Sequence, residues 1–348
     1  MKAFSRLTNG RCNVNIVDRL DRQVWSDFVH DHPQGNIFQT PEMYDVYTST
    51  KHYEPLLLAA LSDTGTVRGL LLAVLQREFD GLLGRMTARS VVWGGPLIAN
   101  GDDSILDLLL CAYEEKIRTR VLYTQFRNSW DVNSLKPTFL KLKYSYNEHL
   151  NIVVDLTKPE QSLWNEIHSK RRNEIRKAYK EGIEVRELTE EYQIDACYEI
   201  LKGVYSHAGL PLADKTMFDA AFRTLSPQQM VKYFGAFSDD TLIGVICILA
   251  YKDLLYDWYA GSRFEYLRKY PNDVLPWEVF KWGKANGYST FDFGGAGSPK
   301  KDYGVRRFKQ KFGGASLNFG RFEKIHQPGK YKAAMTMFYL WKKCRWKR

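Results

Sequence analysis

Two glycine pairs near the carboxyl end of this 348-residue chain bracket a lysine. The first lies in Phe291-Asp-Phe-Gly-Gly-Ala-Gly-Ser298, and the second closes Phe308-Lys-Gln-Lys-Phe-Gly-Gly314. Glycine lets backbone N–H groups approach a ligand closely, and a lysine alongside can balance charge developing on an oxygen. Group transfer through an oxyanion is the chemistry this suggests, with Gly294 and Gly295 beside the bound group and Lys309 as the cation. Asp292 ends an apolar run. It either orients an incoming amine or accepts its proton, or instead caps the Gly294-Gly295 turn, and the sequence leaves these open.

A second concentration of charge comprises Lys170, Arg171, Arg172, Arg176, Lys177 and Lys180. Between Ser169 and Val185 only Glu174, Glu181 and Glu184 offset it. Such a run is either a solvated helix face or a surface turned to an anion. Guanidinium forks match phosphate oxygens, so Arg172 and Arg176, with Lys170, are the candidate phosphate contacts. The seven histidines show no metal-ligand spacing, and the five cysteines are scattered without a Cys-x-x-Cys pair. No metal and no permanently bound cofactor is expected, and the thiols suit a reducing compartment.

The elements that must hold these residues form a repeated pattern. Leu56 to Leu75 reads as an apolar strand, a Ser-Asp turn and a longer apolar strand, and Tyr233 to Ala250 repeats that order. Both copies have Ala-x-Ser-Asp at the turn and a glycine opening the second strand. A third strand is expected from Gly81 in the first copy and over Leu254 to Ala260 in the second, where Tyr259 joins the candidate substrate-binding set. Each meander leads to a helix, Asp103 to Thr119 or Val274 to Asn286, and then to a strand, Val121 to Phe126 or Ser289 to Phe293. Two mixed α/β units follow, with a junction near Asn151. The second opens on one helix from a capping Thr157 to Gly182, buried along Leu163, Trp164, Ile167, Ile175 and Ala178.

Composition bounds the rest. A hydrophobic content of 44%, with 14% aromatic, excludes a disordered chain. The longest apolar stretch, near Thr241 to Tyr251, is half of what a spanning helix needs, and the amino terminus lacks a leader-like apolar core; the expectation is a cytosolic protein. The net charge of +10 is concentrated: from Lys300 onward there are 15 Lys and Arg against two acids. An anionic partner is implied.

These motifs resemble the FemAB family of peptidoglycan-bridge aminoacyltransferases, built from two GNAT-like domains. In the first half the likeness rests on Phe38-Gln-Thr-Pro-Glu-Met-Tyr and Val91-Val-Trp-Gly-Gly-Pro96. In the second it rests on Ser169-Lys-Arg-Arg-Asn-Glu-Ile-Arg-Lys-Ala-Tyr-Lys-Glu-Gly182 and on the two glycine motifs. The resemblance implies two tandem GNAT-like domains, each a mixed, mainly antiparallel sheet flanked by helices. They would span 1–150 and 151–325, with a basic carboxyl-terminal helix, 326–348, docked on the first. It implies acyl or aminoacyl transfer to an amine of a phosphorylated cell-wall or glycan precursor in the second domain or the cleft between domains. Aminoacyl-tRNA, or acyl-CoA, would be the donor. Phe308 and Lys309 fall on the pair for which the family proposes charge neutralisation. The chain departs from the family at Tyr205-Ser-His-Ala-Gly-Leu-Pro211, where an Arg-Asp-Gly segment is expected, and it lacks the helical-hairpin arm of some members.

Two rivals remain at this stage. An acyl-CoA N-acyltransferase of the GNAT type would cradle pyrophosphate in a glycine-rich turn. Here Gly261-Ser-Arg-Phe-Glu-Tyr-Leu-Arg-Lys-Tyr-Pro271 has a single glycine. A basic nucleic-acid binder could use Tyr331, Phe338, Tyr339, Trp341 and Trp346 for stacking. However, Ala333, Ala334, Met337, Phe338 and Trp341 fall at helical spacing. An amphipathic helix over Gly329 to Arg348 is therefore expected, turning Lys342, Lys343, Arg345, Lys347 and Arg348 to an anionic inner leaflet.

Overall fold

The computed structural model describes residues 14–78, 84 and 87–345, and the chain divides into two compact units. One unit holds residues 1–148 and 319–348, the other 149–318.

The first unit runs β1 (Val14–Val17), α1 (Arg22–Asp31), α2 (Pro41–Ser49), β2 (Tyr53–Ser62), β3 (Val67–Gln76), β4 (Arg89–Gly94), β5 (Leu97–Ile98), α3 (Asp103–Ile117), β6 (Tyr123–Asn128), α4 (Lys136–Lys141) and β7 (Ser145–Asn147). β3 reads as an almost unbroken apolar run because nearly all of it is buried. The Asp102 carboxylate caps α3 by accepting from Ser104 N–H, and Ile105, Leu106, Leu109, Leu110 and Tyr113 turn inward.

The second unit runs β8 (Leu150–Asp155), α5 (Glu160–Glu166), α6 (Ser169–Lys180), β9 (Ile183–Glu187), α7 (Glu191–Ala208), α8 (Lys215–Leu225), β10 (Val231–Ser238), β11 (Thr241–Tyr251), β12 (Leu254–Ser262), α9 (Pro271–Ala285), β13 (Thr290–Gly295), α10 (Gly304–Gln310) and β14 (Ala315–Asn318). The chain then re-enters the first unit as β15 (Arg321–Ile325) and α11 (Pro328–Arg345).

The two sheets have the same plan. The first is ordered β1-β2-β3-β4-β6-β15-β7, the second β9-β10-β11-β12-β13-β8-β14. Each is antiparallel except for one parallel pair, β4 with β6 and β12 with β13. The two hairpins share a bulge at the same point, at Ala60/Leu61 in one and Ala236/Phe237 in the other. The glycine opening each second strand has the same task. A Cβ at Gly69 would strike Ile105 and Leu109 of α3 at 2.8 Å, and one at Gly244 would meet Pro271 and Leu275 of α9. Both glycines let the following helix lie close on the sheet, which supports the internal repeat on packing grounds.

Several expectations need correction. The boundaries fall at 148/149 and 318/319. Arg321 to Ile325, assigned to the second domain by sequence, pairs with β6 and β7 of the first sheet. Its Phe322 is fully buried and stacks on Phe139 at 4.0 Å. The single helix from Thr157 to Gly182 is two helices. Ile167 and His168 are extended between them, because His168 N–H donates to Lys311 O while its Nδ1 accepts from Lys170 N–H. Thr157 does not cap α5; it turns back to the Asp155 carboxylate. The third strand of the first meander is Arg89–Gly94, and residues 79–83, 85 and 86, where it was expected to begin, lie outside the described residues. α11 forms, and its Tyr331 ring meets Tyr123 edge-on at 5.5 Å. The side chains from 338 onward, including the lysines and arginines expected at a membrane, lie outside the described ones.

Candidate active site

β12 and β13 run side by side only from Leu254 opposite Thr290 to Tyr256 opposite Asp292. Beyond that point both strands continue, β12 to Ser262 and β13 to Gly295, without pairing. A bulge in β12 marks the fork: Ile248 of β11 faces Asp257 and Cys247 faces Tyr259, leaving Trp258 extra. Bulges re-aim side chains and end ladders, and they recur beside active sites.

Lys309, on α10, reaches this fork. It is half-buried, and its Nζ donates to Phe293 O at 2.5 Å and to Gly295 O at 3.1 Å. Both acceptors are β13 carbonyls beyond the last β12 pair. An ammonium has three N–H donors, so one remains. Burial lowers the Lys309 pKa, while Asp257 and Asp292 push it back up.

Asp292 is 2% exposed. Both its oxygens accept from Asn151 Nδ2, at 3.1 and 2.8 Å, and Oδ1 also accepts from Gly294 N–H at 2.7 Å. Of the two roles left open, the turn cap is therefore the one seen. Burial pushes its pKa up to about 6 against these hydrogen bonds. Gly294 has φ +70, and a Cβ there would lie 2.9 Å from the Tyr256 hydroxyl, so any other residue would be strained.

Asp257, which the sequence reading passed over, is half-buried at the fork. Desolvation raises its pKa to about 6, with Asp292 adding to the rise and Lys309 opposing it. Among the described residues no ion pair joins either carboxylate to Lys309. An aromatic wall stands close by: Tyr205 of α7 lies 5.7 Å from Tyr259, which also packs on Phe218 at 4.9 Å and Trp258 at 5.1 Å.

The basic helix divides in use. Arg171 is the residue engaged with the site. Its guanidinium lies 4.3 Å over the Phe308 ring, bonds Glu174 at 2.9 Å and bonds Asp273 of α9. Burial lowers its pKa against the pull of Glu174. Arg172 is half-buried, and its Nε is buried with no hydrogen-bond partner among the described residues. Lys170 and Arg176 are exposed, Arg176 donating to Asn173 at 3.2 Å and lying over Trp164. The structure thus gathers Phe308, Lys309, Asp292, Gly294 and Gly295 at the fork, with Tyr259 on the adjoining wall. Lys170 and Arg176 stand apart. Asp257 and Arg171 were missed because each gains its place from strand divergence or helix packing, which residue spacing does not carry.

The connection from β12 to α9 holds no phosphate cradle. A 3-10 turn, Phe264–Lys269, fills it, and α9 begins after a left-handed Tyr270 without a side-chain cap. The first turn of α9 is occupied by Asp273, 5% exposed and ion-paired to Arg171. Among the described residues no three His, Cys, Asp or Glu side chains gather as metal ligands would, and no helix is long and apolar enough to cross a membrane.

Residues 169–310 match the family described as acetyltransferase (GNAT) domain. No curated protein matches the chain. Among solved structures, FemX aligns over 91% of this chain and 99% of its own, with a TM-score of 0.71 and 14% identity. A tandem GNAT protein from the clavulanic acid biosynthesis pathway aligns over 90% and 99%, with a TM-score of 0.59 and 11% identity. The C-terminal domain assigned to a lysylphosphatidylglycerol synthetase of Agrobacterium fabrum aligns over 91% and 93%, at 0.56 and 15%. The fold is a tandem GNAT fold similar to that of FemX, and the residues that match the acetyltransferase (GNAT) description lie in its second unit.

Proposed function

On the premise of an acetyltransferase domain set in a tandem GNAT fold, we propose that this chain moves an activated aminoacyl group to an amine of a cell-envelope precursor. The observation that carries the reading is the Lys309 ammonium. Two of its donors are spent on the β13 carbonyls, and the third has no partner among the described residues. When an amine adds to an ester carbonyl, the carbonyl oxygen becomes an alkoxide. A fixed cation with an unspent N–H stabilises that charge without reorganising. Phe308 and Arg171 hold the helix that carries it.

The donor reading rests on Asp273. In an acyl-CoA enzyme of this fold, pyrophosphate would sit at the start of the helix after the fourth strand, which here is α9. A buried carboxylate already occupies that turn, with its counter-ion in place, and would repel a diphosphate. An aminoacyl ester such as aminoacyl-tRNA needs no such cradle. The half-buried Arg172, which makes no ion pair among the described residues, suits an anionic group on the precursor, in keeping with the phosphorylated acceptor that the motifs imply. One structural neighbour is itself named for an aminoacylated lipid.

The test is to incubate the protein with a labelled aminoacyl-tRNA pool and membrane-extracted precursors. Label should move to an amine-bearing product. Absence of transfer, together with saturable micromolar binding of acetyl-CoA by calorimetry, would replace the reading with a CoA-dependent one.

A further inference from the structure

We infer that Asp257 is a catalytic residue of the second unit: its carboxylate takes the proton from the attacking amine. The inference rests on the acyl-transfer reading above and adds to it the group that reading leaves without a name.

Position comes first. Asp257 is the first residue of β12 past the last pair with β13, at the bulge that turns the strand. It therefore stands where the two strands open, across from the carbonyls that anchor Lys309. It is half-buried, so a small amine can reach it.

Engagement separates it from Asp292. That carboxylate is spent on Asn151 and on the Gly294 N–H, and moving it would undo the turn. Asp257 accepts no hydrogen bond from any described residue, and Lys309 reaches it through space without an ion pair. A partly exposed carboxylate that no protein donor holds is not committed to the turn and can meet a ligand. The groups that face it are Lys309 on α10, Asp292 on β13, and Tyr205 and Cys247 on α7 and β11. Only Lys309 is cationic. Burial and Asp292 hold the carboxyl near neutrality in its titration, so it is ionised at physiological pH yet more basic than an exposed aspartate.

The step balances without any co-reactant. The neutral amine attacks the ester carbonyl carbon and a C–N bond forms. The carbonyl π pair moves to oxygen beside Lys309, and one N–H proton passes to Asp257. The C–O bond to the donor then breaks, and the departing alkoxide takes that proton back. Ester and amine become amide and alcohol.

The experiment compares wild type, Asp257→Asn and Asp257→Glu in the labelled aminoacyl-tRNA and membrane-precursor assay, across pH 5 to 8, with thermal unfolding of each. Wild type should show an acidic limb in kcat/KM near the Asp257 titration at about pH 6. Asp257→Asn should unfold as wild type does, lose about a hundredfold or more in kcat/KM, and lose the limb. Asp257→Glu should keep a limb at a displaced pH. Inactive wild type overturns the transfer reading. Active wild type with Asp257→Asn within threefold, or with an undisturbed limb, overturns the role of Asp257 alone.

Discussion

The parallel strand pair stays closed in one unit and opens in the other. In the first unit β4 and β6 keep register from Arg89 opposite Tyr123 to Gly94 opposite Asn128. In the second, β12 and β13 part after Tyr256 and Asp292. Parting strands leaves buried carbonyls without ladder partners, and such groups must be satisfied. The first unit closes its strand ends with neutral donors: Trp130 Nε1 to Gly94 O at 2.9 Å, and Asn128 Nδ2 to Gly320 O at 3.1 Å. The second supplies an ammonium to Phe293 O and Gly295 O. One repeat thus became a sealed support, and the other acquired a cation at an opening. The proposed chemistry lies where the second parallel pair opens.

Breaking the anchor should have the largest effect. Arg171→Met leaves Asp273 buried without its counter-ion and removes the cation from the Phe308 face, so we expect a loss of about 3–5 kcal/mol in stability, measured by denaturant unfolding. Lys309→Met tests the opened pair directly. Turnover should fall by about 10²–10³, the scale for losing one oxyanion donor, with secondary structure by circular dichroism retained. Gly294→Ala sharpens the comparison, because the methyl group would meet the Tyr256 hydroxyl in a left-handed backbone; a cost of about 1–3 kcal/mol is expected in thermal unfolding.

The smallest effect is in pH dependence. Asp257 and Asp292 both titrate higher in the folded chain, near 6, than the ordinary value of 3.8. The folded state therefore holds protons more tightly than the unfolded one, and these groups favour folding at low pH. Their contribution is lost as pH rises from about 4 to about 6. Asp257→Asn should flatten that fall in a pH series of unfolding midpoints.

Much of this was legible in the chain. The Ala-x-Ser-Asp turns marked the two hairpins, and the paired bulges and helix-seating glycines show why those residues recur. The glycine motifs led to Lys309, Phe308 and Asp292 because the gathering is local: β13 and α10 are separated by one short loop. Arg171 looked like any other cation on its helix, since only packing against Phe308 and Asp273 distinguishes it. Asp257 lay in an aromatic strand whose bulge leaves no mark in residue order. Nor does Arg321–Ile325 advertise which sheet it joins, because its alternating pattern would suit either.

That last strand constrains how the protein is made. β6 meets β7 only through β15, and the Phe139 ring waits for Phe322. A ribosome releasing about 5–20 residues per second must add the whole second unit before the first sheet is complete. For many seconds the early half is therefore an unfinished sheet with an open slot between β6 and β7. Truncation after residue 148 would make that transient state permanent.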